Sequence, residues 1–112
     1  MWWKKQGEEW VNAGPLLQWF QPGEQGLKLA EIAGKTITLA QWNGRQFAFA
    51  KKCPHAGGIL ANGYIDAQGC ITCPLHHYKF NMENGRNVTG EGYYLKTYAV
   101  KIEAGDWWVA LS

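Results

Sequence analysis

The sequence predicts an all-β domain whose regular strands are interrupted by an irregular insert, and three observations support this prediction. Seven Trp, five Tyr and four Phe favour strands, because aromatic side chains pack well on a pleated surface. Fourteen Gly and four Pro among 112 residues indicate many tight turns. Between residues 27 and 51, apolar side chains recur at every second position, which is the repeat of a strand.

The individual elements follow from local patterns. Residues 10–14 predict a short opening strand, and residues 15–26 predict a loop or one helical turn, because Pro22-Gly23 breaks any longer run. The Asn43-Gly44 pair and residues 66–69 predict hairpin turns. Alternating apolar and polar residues predict the other strands, at 27–33, 35–40, 46–51, 95–103 and 107–111.

Residues 52–82 differ from the rest of the chain, because regular alternation fades there and Cys, His, Pro and Gly concentrate. Two pairs of metal-binding residue types lie in this insert, Cys53 with His55 and Cys73 with His76. The odd count of three cysteines argues against a disulfide framework, and cysteines close to histidines indicate a metal site or catalysis instead. Four such ligands from two loops can close one metal site.

The order of these ligands bears on which metal they bind. Mononuclear zinc accepts two Cys and two His, but its usual spacing groups the cysteines together and the histidines together. Here each cysteine has its own histidine, once two and once three residues further on. This mixed pairing suits two irons, one holding both sulfurs and the other both imidazoles, as in the Rieske 2Fe–2S centre. A zinc-binding structural module is the alternative.

The two loops resemble the cluster-binding loops of Rieske iron–sulfur proteins. The matching segments are CPHAGG at 53–58 and CPLHHYKF at 73–80, and the resemblance extends over about residues 10–111. It implies one Rieske domain over residues 1–112, an antiparallel β sandwich with an inserted two-loop cluster-binding subdomain at about 52–82. It also implies one 2Fe–2S cluster. The ligands that it implies are Cys53 and Cys73 on the inner iron and His55 and His76 on the outer iron.

Four positions distinguish this chain from the high-potential Rieske proteins of membrane complexes. Those proteins carry an additional cysteine in each loop, joined as a disulfide, where this chain has Gly58 and Leu75. They also carry Ser and Tyr hydroxyls that donate towards the cluster, where this chain has Tyr78 and Phe80. Because fewer donors stabilise the reduced cluster less, the resemblance predicts a reduction potential between roughly −150 mV and about zero.

The resemblance implies an electron carrier rather than an enzyme. The sequence shows no Ser/His/Asp set or phosphate-binding loop, and only His77 remains, beyond the two histidine ligands, for a further iron site. The first hypothesis is a ferredoxin that passes electrons from a reductase to a terminal oxygenase. The second is an electron-transfer subunit similar to the small subunit of NAD(P)H nitrite reductase.

Charge and hydropathy exclude other classes of function. The formal net charge is +2, and lysines occur as the pairs Lys4-Lys5 and Lys51-Lys52 rather than as a basic stripe, so nucleic acid is not an expected partner. No apolar stretch approaches the roughly 20 residues that span a bilayer. The first ten residues lack a leader pattern, so we expect a cytoplasmic protein with no membrane partner.

The sequence leaves a few residues near the insert and at the start of the chain without a firm role. Cys70 forms a C-x-x-C pair with Cys73, but a thioredoxin-like site needs a strand–helix context, so Cys70 is expected to be a structural thiol in a strand. The roles of His77, Tyr78 and the Trp2-Trp3 pair stay open.

Overall fold

The all-β prediction is confirmed by the computed structural model, which describes residues 9–55 and 57–111. Apart from one short α-helix and one 3₁₀ turn, the regular elements in these ranges are strands. The Trp2-Trp3 pair lies outside the described residues. In chain order the elements are β1 (Trp10–Pro15), α1 (Leu16–Trp19), β2 (Gly26–Ile32), β3 (Lys35–Trp42), β4 (Arg45–Ala50), the 3₁₀ turn (Leu60–Asn62), β5 (Tyr64–Ile65), β6 (Cys70–Thr72), β7 (Lys79–Asn81), β8 (Thr97–Tyr98), β9 (Val100–Glu103) and β10 (Asp106–Ala110).

In the described ranges the strands form three antiparallel sheets. The outer sheet has the order β1-β10-β9, and the central sheet has the order β2-β3-β4-β8. The third sheet, β5-β6-β7, lies wholly inside the predicted 52–82 insert. The observed architecture is therefore the predicted sandwich with an inserted subdomain.

Tight turns join the long strands as the sequence predicted. Asn43 and Gly44 have φ angles of 54° and 76° and connect β3 to β4, with Trp42 paired to Arg45. Two positive φ angles in a two-residue loop define the type I′ turn, whose twist matches the flanking strands. The turn between β9 and β10 repeats this arrangement at Ala104 and Gly105.

The central sheet buries both of its faces. One face packs against the outer sheet and the other against the insert, so β3 alternates between two cores rather than between core and solvent. The core under the outer sheet contains Phe20, Ala30, Ile32, Ile37, Leu39, Ala48, Trp107 and Val109. The core under the insert contains Ala40, Phe47, Phe49, Cys53, Leu60, Ile71, Cys73, Phe80, Met82 and Leu95. Each fully buried large apolar side chain contributes about 1.5–3 kcal/mol, so the insert is held to the scaffold chiefly by burial.

One sequence prediction differs from the structure in its extent. Residues 95–103 were expected to form a single strand, but they form β8, which pairs with β4, and β9, which pairs with β10. The chain passes from the central sheet to the outer sheet at Ala99. A change of partner leaves the period-two pattern intact, so the sequence cannot reveal it. No helix in the part of the chain that the structure describes is long and apolar enough to cross a bilayer.

Candidate metal centre

The two loops that carry the predicted ligands share one backbone hydrogen-bonding frame. The first loop comprises residues 53–58, of which Ala56 is not described, and the second comprises residues 73–78. The N–H of Cys53 donates to the carbonyl of Gly58 at 2.8 Å. In the second loop, the N–H of Cys73 donates to the carbonyl of Tyr78 at 2.9 Å. Each loop is thus closed between its first and sixth residues.

A second hydrogen bond recurs at the fifth position of each loop. The N–H of Gly57 donates to the carbonyl of Cys53 at 3.0 Å, and the N–H of His77 donates to the carbonyl of Cys73 at 3.1 Å. Both fifth residues are left-handed, with φ angles of 74° at Gly57 and 62° at His77. The structure therefore assigns His77, whose role the sequence left open, to the position that glycine occupies in the first loop.

The two cysteines lie at the inner ends of the loops, within the core under the insert. Cys53 is 2% exposed and Cys73 is fully buried. The loops approach closely, because a Cβ atom added to Gly58 would lie 3.1 Å from the Sγ of Cys73 and 3.0 Å from the Cγ of Leu75. Gly58 and Leu75, which the resemblance equates with the disulfide positions of the high-potential proteins, thus face each other. The three cysteines of the chain, all within the described residues, form no disulfide.

The two predicted histidine ligands meet at the outer ends of the loops. The ring centroids of His55 and His76 are 4.9 Å apart. His76 is exposed, whereas His55 is half-buried and its Nδ1 atom is buried with no hydrogen-bond partner in the described part of the chain. A buried imidazole nitrogen without a partner is costly, unless it binds a group such as a metal.

Two tyrosines cover His55. The Tyr78 ring packs against the imidazole at a centroid distance of 4.1 Å, and the Tyr93 ring lies at 5.5 Å in an edge-on arrangement. The sequence did not indicate Tyr93 as part of the site, because this residue lies far along the chain in a segment that has no strand pattern. The available signal was weak: a glycine-rich run at 90–92 that ends in two tyrosines.

A carboxylate lies near the end of the site at which His55 and His76 meet, here called the tip. Burial raises the pKa of Tyr78, and the nearby charge of Glu91 raises it further. The pKa of Glu91 is lowered, first by the hydrogen bond from Thr89 and also by Asn87 and by the charge of His55. A carboxylate that stays ionised therefore lies within electrostatic reach of His55.

A partly buried ion pair supports the base of the second loop. The Nζ of Lys79 donates to the Asp66 carboxylate at 2.9 Å and to the Thr72 hydroxyl at 3.1 Å. Asp66 also accepts hydrogen bonds from the backbone N–H groups of Gln68 and Cys70. Burial raises the pKa of Cys70, as expected for the structural thiol that the sequence predicted in this strand.

Most of the chain matches one known protein family. Residues 16–99 match the family model described as the Rieske [2Fe-2S] domain. The chain belongs to the Rieske [2Fe-2S] domain family. The cofactor of this Rieske chain is a 2Fe–2S cluster, as the resemblance of its two loops predicted.

Relatives of the Rieske chain include ferredoxin components of oxygenase systems. It is 30% identical over 97 residues to the ferredoxin component of the naphthalene 1,2-dioxygenase/salicylate 5-hydroxylase systems of Ralstonia sp., covering 86% of this chain and 89% of that protein. It is 25% identical over 75 residues to the alkene monooxygenase ferredoxin component of Xanthobacter autotrophicus, covering 67% of this chain and 62% of that protein. The ferredoxin of carbazole 1,9a-dioxygenase from Nocardioides aromaticivorans IC177 has the same fold, with a TM-score of 0.78, 23% identity and coverage of 92% and 98%.

The residues at the tip of the Rieske chain fit a 2Fe–2S cluster. Two buried thiols, two adjacent imidazoles and the unpartnered His55 Nδ1 supply the donor types that such a centre takes. Within residues 9–55 and 57–111, no three Cys, His, Asp or Glu side chains converge on one point. Each iron of a Rieske cluster takes only two protein donors, so convergence of three is not required.

Proposed function

We propose that this chain carries single electrons on one 2Fe–2S cluster, with Cys53 and Cys73 holding the inner iron and His55 and His76 the outer iron. The observation that carries this proposal is the arrangement of the two loops. Their equivalent backbone frames place two buried thiols below two adjacent imidazoles, one of which has a buried nitrogen without a hydrogen-bond partner.

The protein's own residues suit the cluster to electron transfer. When bound, the cluster supplies a one-electron couple, and the Rieske form has a higher potential than all-cysteine clusters. The closed hydrogen-bonding frame of each loop limits the movement of the ligands when the charge changes. The exposed His76 and the 51% exposed Leu75 leave one edge of the site accessible to a redox partner.

The proposed partners are a reductase that supplies the electron and a terminal oxygenase that accepts it. The support is the role of the relatives, which are ferredoxin components of naphthalene dioxygenase and alkene monooxygenase systems. We also propose one Rieske domain over residues 1–112 with its cluster-binding insert at about 52–82. The family match over residues 16–99, which includes the whole insert, supports a single domain.

Metal analysis and spectroscopy test the proposed ligands. We expect about two irons and two acid-labile sulfides per chain, with an EPR signal that develops on reduction by dithionite. Cys73→Ala is expected to lose this signal and most of the iron, since it removes a buried thiolate ligand. Cys70→Ala is the matched control and should keep both, because Cys70 lies in β6 as a half-buried structural thiol. A colourless protein with one zinc per chain would refute the proposal.

The low reduction potential that the sequence predicted is part of this proposal. Phe80 lies fully buried in the core and offers no donor, while the Tyr78 ring packs on His55. A midpoint between roughly −150 mV and about zero is expected in a dye-mediated redox titration. A midpoint above about +200 mV would show that the missing hydroxyl donors do not set the potential.

We also propose a cytoplasmic location. The three cysteines form no disulfide, as is usual for proteins of a reducing compartment. Fractionation of the native host, with detection of the chain by antibody, should recover it with cytoplasmic markers; recovery with periplasmic or membrane markers would contradict this location.

A further inference from the structure

The segment formed by residues 87–93, here called the tip segment, is fastened beside the second loop. The N–H of Val88 and the side-chain amide of Asn87 both donate to the carbonyl of Lys79, at 2.9 and 3.1 Å. The N–H of Lys79 donates in return to the hydroxyl of Thr89 at 3.2 Å. Since Lys79 directly follows Tyr78, these bonds hold the tip segment against the end of the second loop.

Glu91 is restrained within the tip segment through both its backbone and its carboxylate. Its N–H donates to Oδ1 of Asn87 at 2.5 Å, and Gly92 donates to the same oxygen at 3.0 Å. Its Oε1 accepts hydrogen bonds from Nδ2 of Asn87 at 3.0 Å and from the hydroxyl of Thr89. An exposed glutamate usually has a mobile carboxylate, whereas this one is held by two side chains that are themselves fastened to β7.

The fixed carboxylate lies on the covered side of the proposed cluster. Two residues after Glu91, the ring of Tyr93 packs on His55 at 5.5 Å and on Tyr78 at 6.1 Å. The negative charge of Glu91 also contributes to the raised pKa of Tyr78, which agrees with this placement. Glu91 therefore belongs to the segment that covers the half-buried His55, on the side where the rings of Tyr78 and Tyr93 pack against it.

We propose that Glu91 sets the reduction potential of the cluster: its fixed negative charge opposes the uptake of the electron and so lowers the potential. The inference rests on the proposed ligation by His55. Reduction adds one electron from the donor to the cluster and breaks no bond, so the nearby charge acts only through its electrostatic energy in the two redox states. Because Glu91 is exposed, solvent and salt weaken this energy without removing it.

Substitution of Glu91→Gln tests the inference by removing the charge while leaving an amide oxygen to accept from Asn87 and Thr89. In a redox titration at low ionic strength, the equilibrium constant for reduction should rise by roughly threefold to tenfold, where tenfold corresponds to 59 mV for one electron. The shift should shrink at 1 M salt, where the Debye length is only about 3 Å. Glu91→Asp keeps the charge and should stay within about twofold of the unmodified protein.

Glu103→Gln is the matched control, since it also removes one negative charge from an exposed side chain. Glu103 lies in β9 of the outer sheet and forms an ion pair with Lys101 at 3.7 Å. Its reduction equilibrium should change by less than about twofold. Equal midpoint potentials in Glu91→Gln and Glu103→Gln, with iron content and EPR signal intact, would overturn the proposed role of Glu91 and leave the proposed function standing. Absence of the cluster from the unmodified protein would instead overturn the proposed function.

Discussion

The first and second loops have the same backbone frame but present their histidines differently. The first loop carries its histidine at the third position and the second loop at the fourth. At the sixth position, Gly58 of the first loop lies against the second loop, and Tyr78 of the second loop covers His55 of the first. As a result His55 is half-buried and His76 is exposed. The hydrogen-bonding frame thus positions the cysteines. The sixth residues of the two loops differ in size, and this difference leaves His76 exposed and His55 covered.

The largest loss of stability and of iron is expected when a larger side chain replaces Gly58, the sixth residue of the first loop. A Cβ atom at Gly58 would already lie 3.0 Å from Leu75 and 3.1 Å from the sulfur of Cys73. Gly58→Val would therefore force the loops apart, lower the free energy of unfolding by about 1–3 kcal/mol and lose most of the iron. Iron analysis, visible absorbance and urea unfolding measure these effects.

A second glycine supplies the control for this substitution. Gly26 begins β2, and a Cβ atom added there would meet only Phe20, at 3.8 Å. Gly26→Val should keep the full iron content and change the free energy of unfolding by less than about 1 kcal/mol. Full iron content in Gly58→Val would mean that the loops do not need their close approach to hold the cluster.

Local patterns in the sequence predicted the scaffold and the four donors. Asn43-Gly44 specifies its turn without help from distant residues, and the pairs Cys53/His55 and Cys73/His76 are each contained within four residues. The cover of His55 was not predictable in this way. It depends on a contact with Tyr93, which lies in a loop without periodicity that the hydrogen bonds of Asn87 and Thr89 fasten to β7.

The second-largest loss of stability is expected when the ion pair that supports the second loop is removed. This loop continues into β7, whose Lys79 reaches Asp66 on the adjacent hairpin, whereas the first loop continues into Ile59, which forms an isolated bridge with Lys52. Asp66→Asn keeps an oxygen for the backbone donors but removes the charge that faces Lys79. We expect a loss of about 1–2 kcal/mol in the free energy of unfolding at pH 7, measured by urea denaturation.

The pH dependence of this loss sharpens the prediction. Burial alone would raise the pKa of Asp66, but the hydrogen bonds from Cys70, Lys79 and Gln68 together outweigh burial and hold the pKa below its ordinary value of 3.8. Because the folded pKa is the lower one, the stabilisation is complete above 3.8 and disappears as the pH falls through the folded value.

Urea unfolding of both proteins at pH 7, 5 and 3.5, with cluster content checked by visible absorbance, should show the same difference at pH 7 and 5 and a smaller one at pH 3.5. A difference that stays constant down to pH 3.5 would contradict the depressed pKa. The surface pair of Lys101 and Glu103 offers a control, since Glu103→Gln should cost no more than about 0.5 kcal/mol at any of these pH values.

The smallest change in stability is expected at the fifth position, where both loops have a left-handed residue but the side chains differ, glycine in the first loop and histidine in the second. His77 adopts a φ of 62° that costs a non-glycine residue about 1–2 kcal/mol, while glycine loses about 0.5–1 kcal/mol through its freer unfolded chain. His77→Gly should therefore raise the free energy of unfolding by no more than about 1 kcal/mol and leave iron content and EPR signal unchanged. His77→Val, which is β-branched, should lower the free energy of unfolding. Loss of iron in His77→Gly would indicate that the imidazole of His77 binds the cluster. The fifth residues of the two loops would then not have equivalent roles.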